Sequence, residues 1–376
     1  LTHGRPIKPV DLLSTLKALT QLILFCTQSN DQDPFKREGI PYENRQRVLR
    51  ERKVLDMIVY VIYLPFRQEY LDLNDILKSE YKYYLRLIRF GYRLIKQICK
   101  NNARNGVYMI KYLHILMSHI DCNVGVEDAL LEIFTNNYNL LDAITEKQLQ
   151  EFINLLKKQD KSFTNVNSRY LEFLSVLCGY DAKPVTKNQE FIANSLIGAS
   201  SQFINYLIIP YEDEGKMMFK VGDQLWDLAN FIQQKSLREY FQKTIELLAS
   251  LCLGRNIVSI ELVSKLISHN MVLHFIMDEN LTYELRSSFC ILYLHAYIDV
   301  EPYTRADIIL YTRKWADIMS KTNPHIQFKK LQAFIDQHFE NNQLIDMANT
   351  QRNRFLLVLV RLCRQLFEFN IYEDVP

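Results

Sequence analysis

The sequence contains little glycine and little proline, with 10 of each in 376 residues. Average usage predicts about 26 glycines and about 19 prolines for this length. All-β folds use both residues in their many turns, and doubly wound nucleotide-binding folds need glycine in their phosphate loops, so both classes are disfavoured. With 48% hydrophobic residues the chain can bury a large core. The composition indicates an all-α protein of one large or two ordinary domains.

Features of membrane insertion, secretion and disulfide bonding are also missing. The longest apolar runs, 54–66 and 355–360, fall short of the ~18 residues that span a bilayer. None of the seven cysteines forms a Cys-x-x-Cys pair, and most occur in apolar helical runs. We therefore expect buried free thiols in a reducing compartment. Because the chain begins with Leu1 rather than methionine, we expect it to be part of a longer polypeptide.

Common catalytic and metal-binding motifs are missing as well. The two closest glycines, Gly215 and Gly222, are too far apart for a phosphate loop. His119 and Cys122 could offer two metal ligands on one helix face, but no second pair accompanies them. No Ser-His-Asp or Cys-His motif is visible. The sequence therefore predicts no enzyme, no metal site and no cofactor.

Helical periodicity continues along nearly the whole chain, without segments of strand period. Thr145 and Thr186 each precede a glutamine by three positions, which is the pattern of a capping box at a helix start. Gly179 and Gly254 follow apolar helical runs and predict left-handed residues at helix ends. Helices joined by such short turns predict stacked helical hairpins, as in a repeat solenoid.

The most unusual segment is 81–111, which contains eight Lys or Arg and no Asp or Glu. Six of these cations recur every three or four positions, so they align on one helix face, which we call the basic ridge. The basic ridge consists of Lys82, Arg86, Arg89, Arg93, Lys96 and Lys100. Since like charges at this spacing repel, we expect acidic groups on a neighbouring helix, or an anion, to relieve the repulsion.

Two interpretations of the basic ridge remain open. It can be a solvated face paired with acidic partner helices. It can also be a surface for an inositol phosphate, an acidic lipid headgroup or an acidic protein segment. A second basic cluster at 45–53 precedes it. Nucleic acid is disfavoured, because the aromatic residues share the apolar face and do not lie beside the charges as stacking platforms.

Several strings occur in the same order as in a known family. RQRVLRERKVLDMIVYVIYLPF (45–66) resembles the opening helix of the RIH domain of inositol trisphosphate receptors and ryanodine receptors. LRLIRFGYRLIKQICKNNARN (85–105) and the segments at 130–156 and 170–192 are similar to the parts that follow. The most specific string, DENLTYELRSSFC (278–290), resembles the RIH-associated region of these receptors.

The resemblance implies an all-α, armadillo-like helical-repeat solenoid in two consecutive blocks. In this family such solenoids lie in the cytosolic part of a tetrameric calcium-release channel. The implied organisation is an N-terminal arm and helix at 1–41, an RIH armadillo-like domain at 42–200, an irregular linker at 201–225, an RIH-associated helical domain at 226–320 and the start of a further helical block at 321–376.

The resemblance also implies a phosphate-binding wall. In the receptors, basic residues on the opening helix and near the end of the basic helix contact inositol trisphosphate. Arg47, Arg50 and Arg104 match basic positions of that wall and are the expected phosphate ligands. The positions that depart from the pattern, where the receptors place an arginine, a tyrosine and another arginine, are Glu43, Asn102 and Ala103. Half of the implied constellation is therefore missing.

The leading hypothesis is a channel part that relays ligand or partner binding to a distant pore. Its expected partners are inositol trisphosphate or another anionic ligand, other domains of the same channel and further copies in a homotetramer. Its expected location is the cytosolic portion of a protein of the endoplasmic reticulum or another internal membrane, with membrane contact only through segments outside this chain. The alternative is a pore-less cytoplasmic RIH scaffold or adaptor that binds proteins or, through the basic ridge, phosphoinositides.

Overall fold

The computed structural model describes residues 9–68, 73–120, 122–135, 137–159, 163, 166–180, 183–222, 224–300, 328–341, 345 and 348–369. These residues are mostly helical, which confirms the prediction that helices dominate the fold. Within them, no helix combines the length and the apolar character needed to cross a bilayer. The chain divides into two compact units, Leu1–Ala143 and Ile144–Pro376. The five expected domain ranges stay predictions, and the boundary at 320/321 lies outside the described residues.

The first unit is built from nine described helices and one pair of short strands. The helices are α1 (Pro9–Cys26), α2 (Glu43–Glu51), α3 (Val54–Gln68), α4 (Leu73–Ile76), α5 (Lys82–Cys99), α6 (Ala103–Met109), α7 (Leu113–Ser118), α8 (Val126–Phe134) and α9 (Tyr138–Ala143). Strands β1 (Thr27–Gln28) and β2 (Ile40–Pro41) pair antiparallel and enclose the loop at 29–39. The opening RIH helix is thus two helices, because Lys53 between α2 and α3 adopts a left-handed φ of 57°.

Helix α5 lies at the centre of the first unit, with α1, α3 and α8 packed against it. Its buried apolar face includes Leu87, Ile88, Tyr92, Leu94, Ile95 and Ile98. Burying a side chain of this size contributes roughly 1.5–3 kcal/mol relative to leaving it exposed. The basic ridge is therefore carried by the most firmly packed helix of the unit.

The second unit is also mostly helical. Its described helices are α10 (Glu146–Asn154), α11 (Arg169–Leu177), α12 (Thr186–Ile197), α13 (Leu228–Gln233), α14 (Lys235–Cys252), α15 (Ile257–Leu266), α16 (His269–Met277), α17 (Tyr283–Tyr293), α18 (Lys329–Asn341) and α19 (Thr350–Glu368). Helix α14 packs against α11 and α17, and α17 packs in turn against α16 and α19. Helix α17 continues into a π-helical turn over Leu294–Ile298.

Contrary to the expectation of no strands, the second unit contains two small sheets. Strands β3 (Gly179–Tyr180) and β4 (Lys183–Pro184) form one pair, and β5 (Pro210–Asp213), β6 (Lys216–Val221) and β7 (Gln224–Asp227) form an antiparallel sheet in that order. Phe219 of β6 stacks on Phe231 with ring centroids 4.0 Å apart and meets Phe241 edge-on at 5.1 Å. Phe219 therefore attaches the three-stranded sheet to the helical core.

The two predicted capping boxes have different outcomes. The box at Thr145 is confirmed, with its side chain and that of Gln148 each bonded to the other's backbone N–H. The box at Thr186 is wrong, because α12 begins at Thr186 and Val185 is its N-cap. Gln189 is instead buried and donates hydrogen bonds of 2.9 Å to two carbonyls at the end of α14. Packing against a second helix has replaced the local cap.

The two predicted helix-end glycines also differ. Gly254 is confirmed as a left-handed residue, with φ of 71°. Gly179 is not left-handed and begins strand β3. A Cβ at Gly179 would lie 2.5 Å from the carbonyl oxygen of Lys183, so the close approach of the two short strands requires glycine there.

Replacing Gly254 by alanine should destabilise the protein strongly. The new Cβ would overlap with the ring of Pro184 in addition to the strain of the left-handed backbone. We expect Gly254→Ala to cost about 2–4 kcal/mol of unfolding free energy. The matched control is Gly215→Ala, because Gly215 has φ of 77° but open space around its Cβ position, and its cost should be only about 1–2 kcal/mol. Equal losses in urea denaturation would contradict this account.

Candidate anion-binding site

The basic ridge runs along α5 as predicted, with Lys100 at its C-cap. Its two halves lie in different surroundings. Lys82 and Arg86 are exposed, and each cation lies near an aromatic ring of the same helix, at 5.5 and 5.7 Å from the ring centroid. Arg89 is half-buried and donates from Nε to the carbonyl of Asn123 at 3.1 Å. The remaining three cations lie beneath the loop at 29–39.

This loop supplies the acidic group that the ridge needs. Glu38 Oε1 lies 3.0 Å from Arg93 Nη2 and 3.0 Å from Lys96 Nζ. Glu38 Oε2 lies 2.7 Å from Lys100 Nζ. We call these four residues the Glu38 cluster. One carboxylate from a loop, and not a row of acids on a partner helix, thus relieves the repulsion among three neighbouring cations.

The loop is held in place by contacts other than those of Glu38. The buried guanidinium of Arg37 donates to the carbonyls of Thr27, Ser29 and Asp31 at 2.5, 2.9 and 2.6 Å. Arg93 Nη2 donates to the carbonyl of Arg37 at 2.6 Å. Phe35 of the loop meets a phenylalanine ring of α5 edge-on, with centroids 4.6 Å apart. The backbone of the loop is therefore fixed on α5 independently of the Glu38 side chain.

The cations of the cluster change the acidity of Glu38. Partial burial raises its pKa, but hydrogen bonds from Lys100 and Lys96 and the charge of Arg93 outweigh burial and lower the pKa to about 2. A second carboxyl, Glu132 of α8, accepts a hydrogen bond from the backbone N–H of Asn101 at 3.3 Å. Its deeper burial raises the pKa of Glu132 despite the nearby lysines. The surroundings therefore favour the ionised form of Glu38 and the neutral form of Glu132.

The expected phosphate ligands lie on α2 and α6, which contact each other. Arg47 is exposed, with Nε 3.8 Å from Glu51 Oε1. Arg50 is half-buried and donates from Nη1 to Asn105 Oδ1 at 2.9 Å. Arg104 is exposed and adjacent to Asn105 in α6. The fold therefore brings Arg50 to the segment that carries Arg104.

The departures from the receptor pattern have local structural reasons. Glu43 is the first residue of α2, where a carboxylate interacts favourably with the helix dipole. Asn102 is the N-cap of α6, and its Oδ1 accepts the backbone N–H of Asn105 at 3.2 Å. Its side-chain amide also donates to Gln46 of α2 at 3.0 Å. Asn102 thus positions α6 against α2.

The sequence pair His119 and Cys122 belongs to the core. The hydroxyl of Tyr92 lies 2.5 Å from His119 Nδ1, and burial lowers the pKa of His119 to about 4. Cys122 is buried, as are five of the other cysteines, and all seven are free thiols. Burial raises the pKa of Cys26 to about 12. Among the residues that the structure describes, no group of three or more His, Cys, Asp or Glu is arranged to hold a metal ion.

Sequence reasoning missed a second charged contact, which joins α3 to α6 and the following turn. Asp56 accepts hydrogen bonds from Lys111 Nζ at 2.6 Å and from the hydroxyls of Tyr108 and Tyr112. Burial raises the pKa of Asp56, but these donors outweigh it and lower the pKa to about 2. No sequence pattern pointed to this contact or to Glu38, because both join residues more than 50 positions apart.

Comparison with known proteins supports the family resemblance. A model of the RIH domain matches residues 16–206. The chain is 30% identical over 293 residues to inositol 1,4,5-trisphosphate receptor-like protein A of Dictyostelium discoideum, covering 76% of this chain and 8% of that relative. It is 25% identical over 425 residues to inositol 1,4,5-trisphosphate receptor itr-1 of Caenorhabditis elegans, covering 98% of this chain and 14% of that relative.

Matches over this much of the sequence define the class as receptors that carry an RIH domain. The chain belongs to the family of inositol trisphosphate receptors and ryanodine receptors, as the resemblance predicted. It spans less than a sixth of the length of either curated relative.

The low pKa of Glu38 predicts a specific pH dependence of stability. Since the folded-state pKa is about 2 and the ordinary value is 4.5, the contribution of Glu38 is complete above pH 4.5. It is lost as the pH falls from 4.5 towards 2. Wild type should therefore melt at a higher temperature than Glu38→Gln above pH 4.5, and the difference should vanish near pH 2. A difference in melting temperature that is constant across this range would contradict the assignment.

Proposed function

We propose that the chain is the cytosolic helical-solenoid part of an inositol trisphosphate receptor-like calcium-release channel. The observation that carries the proposal is the match along 98% of this chain to a protein named as such a receptor. The mostly helical units, with their short connections, are consistent with armadillo-like stacking in two consecutive blocks. In the parent protein, a homotetramer in the endoplasmic reticulum or another internal membrane, this part relays ligand or partner binding to a distant pore.

The proposed relay is mechanical. Helix α5 carries cations on one side and is packed against α1, α3 and α8 elsewhere. Because protein interiors are close-packed and transmit strain, an anion that pulls on the basic ridge moves α5 together with the helices around it. Small displacements of packed helices are an established way to convert binding into motion at a distant site.

The proposed ligand wall consists of Arg47, Arg50 and Arg104. Arg47 and Arg104 are exposed, and Arg50 keeps guanidinium N–H groups beyond the one donated to Asn105. Each hydrogen bond from a guanidinium to a phosphate contributes roughly 1.5–3 kcal/mol. Glu43 at the start of α2 opposes a phosphate by charge repulsion, so this wall should bind more weakly than one with arginine at that position.

The ligand wall can be tested by calorimetry with inositol 1,4,5-trisphosphate on the parent polypeptide. Arg50→Gln should lower the affinity about 10- to 100-fold, because it removes charge-assisted contacts to phosphate. The matched control is Arg364→Gln, which removes an exposed arginine paired with Glu368 on α19. An Arg50→Gln variant that binds as tightly as wild type, or an equal loss in the control, would refute the wall.

The alternative proposal is a pore-less RIH scaffold or adaptor for protein partners. It is favoured by Glu43, Asn102 and Ala103, which stand where the receptors place ligand contacts and which have structural roles or small side chains here.

Calcium release separates the two proposals. Vesicles that carry the parent protein and are loaded with calcium should release it when inositol 1,4,5-trisphosphate is added, and Arg50→Gln should shift the required concentration upward. We expect the shift to be about 10- to 100-fold, in line with the affinity loss. Vesicles that hold calcium at every concentration of the ligand would contradict the channel proposal and favour the scaffold.

A further inference from the structure

The Glu38 cluster has more positive than negative charge. Three cations face one carboxylate, and the carboxylate is the most exposed member. The exposed fractions of the side chains are 9% for Arg93, 18% for Lys96, 20% for Lys100 and 49% for Glu38. The cations therefore form the floor of a surface site, and Glu38 lies over them on the solvent side.

Glu132 of α8 does not remove this excess. Its carboxyl lies near Lys96 and Lys100, and its burial raises its pKa and favours the neutral form. Even with Glu132 fully ionised, the three cations outnumber the two carboxylates. The site thus retains net positive charge in either protonation state of Glu132.

The donors of the cluster are arranged as an anion with several oxygens requires. Lys96 Nζ and Lys100 Nζ donate hydrogen bonds of 3.0 and 2.7 Å to different oxygens of Glu38. Arg93 Nη2, which also donates to the carbonyl of Arg37, lies 3.0 Å from Glu38 Oε1 as an ion pair. In the present arrangement Arg93 and Lys96 share one oxygen. A phosphate monoester offers three acceptor oxygens and close to two negative charges at neutral pH, so each donor could bind its own oxygen.

The Glu38 side chain can leave without unfolding the loop. The loop backbone is held by Arg37, which donates to four carbonyls, and by Arg93, which donates to the carbonyls of Pro34 and Arg37. Further anchors are the hydrogen bond from Gln97 to the carbonyl of Arg37 and the contact of Phe35 with the α5 ring. Rotation of the half-exposed Glu38 side chain would uncover the cations and leave these anchors in place.

We infer that Arg93, Lys96 and Lys100 form a binding site for a phosphate monoester group, and that Glu38 occupies this site as an internal competitor. This inference deepens the proposed anion-binding role of the basic ridge and rests on it. The site shares no residue with the wall of Arg47, Arg50 and Arg104. The phosphate can belong to a soluble molecule or to a phosphoinositide headgroup.

An internal competitor reduces the apparent affinity to the intrinsic affinity multiplied by the fraction of time for which the site is unoccupied, so a site that is free about a tenth of the time binds about tenfold more weakly. Glu38→Gln keeps the size and hydrogen-bonding capacity of the side chain but removes its charge. Calorimetry of the full chain with glycerol 2-phosphate should therefore show about tenfold tighter binding by Glu38→Gln than by wild type. Adding Lys96→Gln and Lys100→Gln to that variant should abolish the gain.

Two controls isolate the cluster. Glu368→Gln removes an acid that is ion-paired with Arg364 on α19, and it should bind glycerol 2-phosphate as wild type does. The gain of Glu38→Gln over its Glu38 parent should persist when both carry Arg50→Gln, so that a failure of the proposed inositol trisphosphate wall would not be mistaken for a failure here. Vesicles of phosphatidylcholine with about 5% phosphatidylinositol 4-phosphate, compared with plain phosphatidylcholine, test the lipid source. Binding to these vesicles without binding to glycerol 2-phosphate assigns the headgroup, and the reverse assigns a soluble phosphate.

A second measurement keeps the test valid if Glu38→Gln unfolds. Carbon NMR of the wild-type Glu38 carboxyl should show its pKa rising from about 2 towards the ordinary value of 4.5 when glycerol 2-phosphate or the phosphoinositide vesicle displaces it. Either this rise or the tighter binding of the variant supports the inference. It is overturned if neither is seen with either probe, or if the variant lacking Lys96 and Lys100 binds as tightly as Glu38→Gln alone.

Discussion

The first unit depends on helix α5, which must bury its apolar face while it keeps a row of mutually repelling cations on another face. Three helices bury the apolar face of α5, while its opposite face carries cations at a spacing that makes them repel. The loop at 29–39 resolves this conflict, because Glu38 meets three of the cations at once. Because other contacts hold the loop on α5, one half of the charged face is covered and the other half is exposed.

Much of the fold could be predicted from local patterns, and the errors share one cause. The ridge on α5 and the capping box at Thr145 involve residues a few positions apart, and both are present. The second box failed because Gln189 is used by α14, more than 60 positions away. The three-stranded sheet was missed because its strands are short and are fixed by ring packing of Phe219, which strand periodicity does not report.

The candidate site shows the same limit. The family resemblance pointed to Arg47, Arg50 and Arg104 as phosphate ligands. The regular spacing of the cations predicted the basic ridge. Neither could find Glu38, because nothing near Glu38 in sequence distinguishes it from other surface glutamates. The antiparallel pairing of β1 with β2 closes the loop, and hydrogen bonds from Arg93 to the carbonyls of Pro34 and Arg37 hold the loop on α5. The role of Asn102 as the N-cap of α6 likewise explains a departure from the family pattern that alignment alone leaves unexplained.

The packing of Phe219 has a practical consequence for dissecting this protein. A fragment that began after the three-stranded sheet would lose the ring of Phe219, which covers Phe231 and Phe241, both fully buried in the intact chain. Newly wetted aromatic faces of this size promote association between molecules. Boundaries for expression or protease mapping are therefore better placed before 210, which keeps the sheet with α13 and α14, than within 210–227 or directly after it.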